Sequence, residues 1–357
     1  MSAVPAVYMR GGTSKGVFLH ARDVPAGGPE LDDLLLRIMG SPDPMQIDGM
    51  GGTYSSTSKV VIVGREADEI TYRFAQVGVD RPIVDWSGNC GNLTSAVAPF
   101  AIDEGLVETI GDTVAVVLRN VNTGVRVEST VEIEGCRAKT RGQHAVAGVP
   151  GTGSPVLTRY LDPAGSVLGS LLPAGAPTVS LRYSGTSIQA SIVDAAHPYV
   201  FVRAADVGLT EDVADAPRRN DDRDFLGRME AIRSAAAVRV GAVEAWADAS
   251  AASPVVPRIV AVGAGVDGAM LTAVTLSMGR VHRALPMTAA LCIAAAARTE
   301  GTVVAQLAST TADEILIRHP RGISPVVVDV HGGEVRSVGV VRTARRLMEG
   351  RIHPSPR

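Results

Sequence analysis

The sequence predicts an α+β chain built from two similar domains, each a set of short strands with one buried helix. Three observations predict it. Short β-branched runs recur between turn residues; two uncharged apolar runs are long enough for buried helices; and the first half of the chain is echoed in the second. Val17-Phe18-Leu19-His20-Ala21-Arg22-Asp23-Val24 returns as Val200-Phe201-Val202-Arg203-Ala204-Ala205-Asp206-Val207, and the helix ending Asp103-Glu104-Gly105 returns as one ending Thr299-Glu300-Gly301. Two landmarks in the same order indicate a duplicated domain, with a ligand cleft expected between the halves and both buried helices aiming their N-termini inward.

In chain order, Arg10-Gly11-Gly12-Thr13-Ser14-Lys15-Gly16 is a glycine-rich segment that resembles a phosphate loop only superficially, because its lysine precedes the glycine. Strands follow at Val60–Val63 and Ile70–Val77. The polar turn Trp86-Ser87-Gly88-Asn89-Cys90-Gly91-Asn92 then enters an apolar helix ending near Ile102. Val114–Asn120 and Gly124–Ile133, joined through Val121-Asn122-Thr123, read as a hairpin. After a Gly/Pro-rich stretch from Gly148 to Pro177, strands resume at Thr178–Tyr183 and Ser187–Val193. The boundary is placed near Gly185, giving an N-terminal domain 1–185 and a C-terminal domain 186–357. The run Ala284–Ala297 is too short to span a bilayer and reads as the second buried helix; the basic segment Arg342–Arg351 reads as a solvated helix face.

A chain of 357 residues can bury one or two large cores. A net charge of −3 and 4% aromatic residues give no electrostatic or stacking case for nucleic acid or an anionic membrane, which leaves small molecules as the expected partners. Three cysteines, Cys90, Cys136 and Cys292, without CxxC spacing signal neither a disulfide framework nor zinc, and fit a reducing cytoplasm. No signal peptide is read at the N-terminus. Neither metal nor cofactor is expected, and the oligomeric state is left open with a homodimer as one option.

Cys90 is the foremost candidate for chemistry. A thiol at the positive end of a helix, ringed by backbone N–H groups, is the setting in which proteins use a thiolate. The same N–H groups, at Gly91 and Asn92, would bind a carboxylate. Lysine is scarce here, three against 31 arginines, yet two lysines share a setting: Thr13-Ser14-Lys15-Gly16 and Thr57-Ser58-Lys59-Val60. Lys15 and Lys59 therefore stand where arginine would not serve, since a desolvated amine can release its proton and a guanidinium cannot. Ser56-Thr57-Ser58-Lys59 fits the S-x-x-K spacing of acylating serine enzymes, but Lys59 leads into a strand, which spoils the one-turn geometry that chemistry needs. In the second half the place of Cys90 falls at about Pro286, followed by Met287 and Thr288. Binding through N–H groups and Thr288 is possible there, but a second thiol is not, which disfavours a symmetric two-base racemase. His197 before the echoed strand, and Arg280 with His282 and Arg283 before the second helix, are candidate substrate contacts.

Taken together, Arg10–Gly16, Gln46-Ile47-Asp48-Gly49-Met50-Gly51-Gly52, Ser55–Lys59 and Asp85–Asn92 resemble the 2-methylaconitate cis–trans isomerases (PrpF) of the methylcitrate route, densely over the first 110 or so residues and more thinly afterwards. The resemblance implies the diaminopimelate-epimerase-like fold, two domains each with a β-barrel-like sheet around a central helix and the active site between them. It implies cofactor-independent isomerisation with Lys59 and Cys90 as the acid–base pair. Arg10, Thr13, Ser14, Lys15, Ser58, Asn89, Gly91, Asn92, His197, Arg280, Met287 and Thr288 are the expected substrate contacts. The family also contains 4-oxalomesaconate tautomerases and methylitaconate isomerases; Asp85-Trp86-Ser87-Gly88 looks more like the methylaconitate members. A rival of another class is a non-catalytic accessory or anion-binding protein of an aconitase-like dehydratase.

Overall fold

The glycine-rich segment at the N-terminus folds as a hairpin: strand β1 (Val4–Gly11) turns into β2 (Ser14–His20), with Val7 opposite Phe18. A strand–turn–strand leaves no helix start for a phosphate to sit on. In this computed structural model residues 3–67, 69–86, 89–209, 212–277 and 279–356 are described. They divide into two compact units, 1–159 with 341–357, and 160–340. Gly185, near which the sequence places the boundary, is the turn of a hairpin inside the second unit. The Gly/Pro-rich stretch that suggested a linker there is part of that unit, and the last residues of the chain return to the first.

In the first unit, β2 runs parallel to β3 (Lys59–Glu66), β3 antiparallel to β4 (Glu69–Val77), and β4 parallel to β5 (Thr113–Asn120), which forms the expected hairpin with β6 (Arg126–Glu134). Helix α1 (Pro29–Met39) covers one face of this sheet. The other face wraps α2 (Gly91–Asp103), which touches β1, β2, β3, β5 and β6. Period-two geometry sorts the side chains of β2 between the layers. Val17 and Leu19 join Leu31, Leu35 and Ile38 of α1, while Phe18 and His20 stack near Phe100 of α2 at 5.5 and 5.1 Å between ring centres. Both faces are covered, so the strand reads as a continuous apolar run rather than an alternating one.

The segment Ala344–Ile352, expected to be helical, is instead a strand paired antiparallel with β1, Met9 opposite Arg346. The open edge of β1 supplies a partner that charge counting does not see. Arg346 reaches from it to Asp103 (3.3 Å) and Glu104 (2.6 Å) at the C-terminal end of α2, where a cation suits the helix dipole. Burial pushes the Glu104 carboxyl up, but hydrogen bonds from His20 and Arg346 outweigh it and hold the group below its ordinary value.

The second unit repeats the order. After the hairpin of β7 (Val179–Tyr183) and β8 (Thr186–Asp194), β8 pairs antiparallel with β9 (Pro198–Arg203) and β9 parallel with β10 (Arg258–Ala264). Then β10 pairs antiparallel with β11 (Leu271–Ser277), β11 parallel with β12 (Glu314–His319), and β12 antiparallel with β13 (Gly322–His331). Helix α3 (Arg223–Arg239) stands where α1 does, and α4 (Met287–Ala297), buried from Ala289 onward, where α2 does. The correspondence holds residue by residue: Val17 lies beside Val60 as Val200 lies beside Ile259. A Cβ on Gly64 would meet Ala21 and Thr71, and one on Gly263 would meet Ala204 and Thr272, the equivalent pair. The duplicated α+β architecture is thus present as two sets of strands, each around its own central helix. No helix among the described residues is long and apolar enough to cross a membrane.

Candidate active site

In the first unit the β1–β2 turn presses against the start of α2. A Cβ on Gly11 would lie 2.3 Å from the carbonyl oxygen of Asn92, and one on Gly12, which has φ +48°, would lie 2.3 Å from Asn92 Oδ1. Only glycine allows that approach. Asn92 Nδ2 donates to Thr13 Oγ1 at 3.0 Å and ties the two segments together. Arg10, an expected substrate contact, braces the turn: its Nη1 donates to the carbonyls of Gly12 (3.0 Å) and Thr343 (2.8 Å).

Cys90 is the N-cap residue of α2, half-buried, and its side chain makes no capping bond, so the first-turn N–H groups at Gly91 and Asn92 lack a side-chain cap. Its Sγ lies 3.9 Å from Ser14 Oγ. Asn89 Oδ1 accepts from Tyr72 Oη (3.3 Å) and Thr94 Oγ1 (3.1 Å), which fixes the segment leading into Cys90. Burial raises the Tyr72 hydroxyl above its ordinary pKa, which keeps it a donor. Trp86 is anchored by Nε1 to Asp32 Oδ1 of α1 at 2.8 Å; Ser87 and Gly88 of the same motif lie outside the described residues.

Lys59 opens β3 and is 8% exposed. Its Nζ donates to Gln76 Oε1 and sits 5.0 Å from the centre of the Phe74 ring. Gln76 is itself held, Nε2 donating to the carbonyls of Ser58 (2.8 Å) and Ser55 (3.1 Å), so its oxygen stays aimed at the lysine. Lys59 heads a strand, and the serine–lysine helical turn of an acylating enzyme is not formed. Ser58 is fully buried and spent on structure, donating to the Val77 carbonyl (2.9 Å) and accepting from Gln46 Nε2 (2.7 Å). That is the task of the Gln46–Gly52 motif, in which a Cβ on Gly51 would strike Gln46 at 2.2 Å. Lys15 is exposed, its Nζ 5.8 Å from the Tyr8 ring centre. Gly16 lies between the two candidates: a Cβ there would meet the Lys59 carbonyl at 2.7 Å and Leu93 of α2 at 2.9 Å. Lys59, Cys90, Ser14 and the α2 start are therefore gathered around the first residues of β2.

The second-unit residues divide. His197 occupies the place of Ser14, three residues before the echoed valine, and its Nε2 lies 2.7 Å from the Val255 carbonyl, an acceptor only, so this nitrogen carries the proton. Burial, with Arg258 nearby, pushes its pKa down to about 4. It is neutral and internally bonded rather than an open contact. Thr288 Oγ1, in the first turn of α4 after Met287, meets Tyr199 Oη at 2.9 Å. Arg280 is exposed in the short strand Arg280–Val281, and its side chain makes no hydrogen bond or ion pair to another described residue.

Sequence reading missed Gln76, Tyr199 and Arg258. The third had a signal: Lys59-Val60-Val61-Ile62-Val63-Gly64 is echoed by Arg258-Ile259-Val260-Ala261-Val262-Gly263, a further landmark of the repeat. Gln76 had none, because a glutamine seventeen residues from its partner carries no local pattern.

The PrpF protein family model matches residues 1–354. The 3-methylitaconate isomerase of Eubacterium barkeri is 39% identical, over 98% of this chain and 97% of that one. The 2-methyl-aconitate isomerase of Shewanella oneidensis is 36% identical over 99% and 97%. Among solved structures, a methylitaconate-delta-isomerase superposes with a TM-score of 0.92 at 39% identity, covering 98% of this chain and 95% of that one. A probable proline racemase from Agrobacterium radiobacter K84 reaches a TM-score of 0.52 at 13% identity over 99% and 94%, a likeness of fold alone, and one that agrees with the epimerase-like architecture. With the duplicated fold, the uncapped cysteine helix and a family match over residues 1–354, this protein belongs to the PrpF family.

Proposed function

We propose that this isomerase of the PrpF family interconverts the cis and trans forms of an unsaturated tricarboxylate of the 2-methylaconitate type by proton transfer at the first-unit site. The observation that carries the reading is the pairing of Cys90, at the uncapped start of α2, with the buried Lys59 around one strand end. In such a substrate the allylic proton is acidified by conjugation with the carboxylates. One of the pair removes it, leaving a dienolate in which the former double bond is single and rotates; the other returns a proton. The N–H groups of Gly91 and Asn92 are oriented to hold a carboxylate and to stabilise the charge that develops as the proton leaves. Gln76 and Ser14 position the lysine and the thiol. A second reading, migration of the double bond in a 3-methylitaconate-type dicarboxylate, is favoured by the 39% identity to the Eubacterium barkeri enzyme.

Proton NMR in deuterium oxide tests both. The purified protein is expected to exchange the allylic protons of 2-methylaconitate for deuterium while cis and trans forms equilibrate. Exchange confined to methylitaconate would select the second reading. Binding of either compound without exchange would make the chain an anion-binding protein and sink the proposal.

A further inference from the structure

The β7–β8 hairpin of the second unit leaves one side of a strand bare. Strand β7 (Val179–Tyr183) pairs with β8 along one edge, Tyr183 opposite Thr186 and Val179 opposite Ala190, and α3 packs on its inner face. Ser184 and Gly185 make the turn with φ of +45° and +79°, the two left-handed residues that a type I′ turn requires. A two-residue turn of this kind closes on a hydrogen-bonded pair, here Tyr183 and Thr186, and the pairs alternate from it. Leu181 and Val179 therefore bond to β8, while the N–H and C=O groups of Ser180 and Arg182 point to the open edge. Both residues are exposed, and neither finds a hydrogen-bond partner on that side among the described residues.

The bare edge lines a groove of about 1550 Å³, larger than the ~300–1,000 Å³ of a small-molecule pocket and on the scale of a polypeptide segment. Its other bank is Ala231, Ala235 and Val238 of α3, with Trp246 beyond; Val238 is 38% exposed and Trp246 71%. An open edge beside exposed apolar side chains is a template for one more strand, and proteins as a rule cover it. The sequence of β7 is complementary to itself. Two copies laid antiparallel about a two-fold axis at Leu181 set Ser180 against Arg182 twice, and each pair exchanges two main-chain hydrogen bonds. Val179, Leu181 and Tyr183, on the face towards α3, then meet Tyr183, Leu181 and Val179 of the second copy, β-branched against aromatic at both ends. No two arginines are opposed in that register, whereas an axis at Arg182 would oppose them. Arg239 and Glu244 of the groove carry opposite signs and are not paired with each other, since Arg239 Nη2 is turned to the Ala174 carbonyl (3.2 Å); a two-fold copy therefore offers each sign to a surface that holds the other.

We infer that the open edge of β7, with the groove between it and α3, is the face on which a second copy of this chain docks, joining the two hairpins into one continuous sheet across a two-fold axis. None of these residues belongs to the proton-transfer site of the first unit, so the inference goes beyond the proposed reaction and stands or falls without it.

Sedimentation equilibrium of the full-length chain measures the association, and hydrogen–deuterium exchange reads the amides of residues 179–183. A dimer is expected. The amides of Val179, Leu181 and Tyr183 are held by β8 in either state, whereas those of Ser180 and Arg182 should be slow in the dimer and fast on dilution to monomer. Arg182→Pro should weaken dimerisation by about 10- to 100-fold, the range for the two N–H donors that the symmetric pairs lose. The Arg182 N–H faces the open edge, so proline takes no bond from the β7–β8 ladder and the monomer should keep its fold. If that variant does not fold, Val238→Lys decides: it places a charge on the groove wall at a position already exposed in the monomer, and a weakening of at least about 10-fold is expected. A chain that stays monomeric at every concentration overturns the inference and leaves the edge to a different protein or to none. A dimer in which Ser180 and Arg182 exchange quickly, or one that a folded variant leaves at the parent's affinity, overturns it equally by placing the interface elsewhere.

Discussion

Replacing Lys59 with arginine keeps a positive charge at the head of β3 while withdrawing the ability to give up a proton. Two contacts set the size of any structural penalty, the Nζ hydrogen bond to Gln76 Oε1 and the 5.0 Å approach to Phe74. A guanidinium can retain both, so stability should change by less than about 1 kcal/mol. Lys59→Met loses both and should cost about 2 kcal/mol, roughly 1 for the hydrogen bond and 0.5–1 for the ring contact. Turnover should separate from stability. Both variants should lose about 10²- to 10⁴-fold in kcat, equivalent to about 3–5 kcal/mol of barrier. Lys139→Arg serves as the control, because the Lys139 side chain makes a surface ion pair with Glu132 at 3.1 Å and the variant should be nearly silent. Isomerisation rates by NMR, beside urea unfolding of each variant, supply both axes. A Lys59→Arg enzyme within threefold of the parent kcat would refute the reasoning: the lysine would then hold a carboxylate and transfer no proton.

Cys90→Ser should cut turnover by about 10²- to 10⁴-fold while KM moves by less than about threefold, since the hydroxyl fits the same place 3.9 Å from Ser14 but does not ionise near neutrality; a near-normal rate would remove the thiol from the chemistry. Gly12→Ala should destabilise the protein by about 1–3 kcal/mol, because the residue has φ +48° and the new methyl would lie 2.3 Å from Asn92 Oδ1; an unchanged melting temperature would show that the turn is not held against α2. The pH dependence of stability has a definite sign at His197. Its folded pKa of about 4 lies below the ordinary 6.5, so the unfolded chain binds more protons between those values. Stability should therefore fall as pH drops from 6.5 towards 4, by up to ~1.4 kcal/mol per unit. Urea melts at pH 7 and pH 5 should show a smaller drop in His197→Gln than in the parent, and equal drops would place the linkage elsewhere.

How far the sequence reached can be judged from particular elements. Hairpins such as β5–β6, the strand at Lys59 and the helices at Gly91 and Met287 were legible because each is set by local periodicity and turn chemistry. The duplication was legible because both copies keep their apolar positions. The C-terminal strand was not, since its pattern of arginines gives no period, and its structure comes from the open edge of β1, more than 330 residues away. The boundary was misplaced for a related reason: a Gly/Pro-rich stretch marks a change in composition, whereas a compact unit is defined by which strands pair.

By itself the sequence determined the residue types that chemistry needs, a cysteine at a helix start and a lysine where arginine is the rule, together with the repeat that frames them. The tertiary structure alone decided their employment. It turned Arg10 onto backbone carbonyls and Ser58 onto Gln46, closed His197 against Val255, and left Arg258 without a counter-ion at the place Lys59 fills in the first unit. The reason is physical: a side chain's chemistry is written in its own atoms, but whether it is free to act depends on partners that only the folded chain brings within hydrogen-bonding distance.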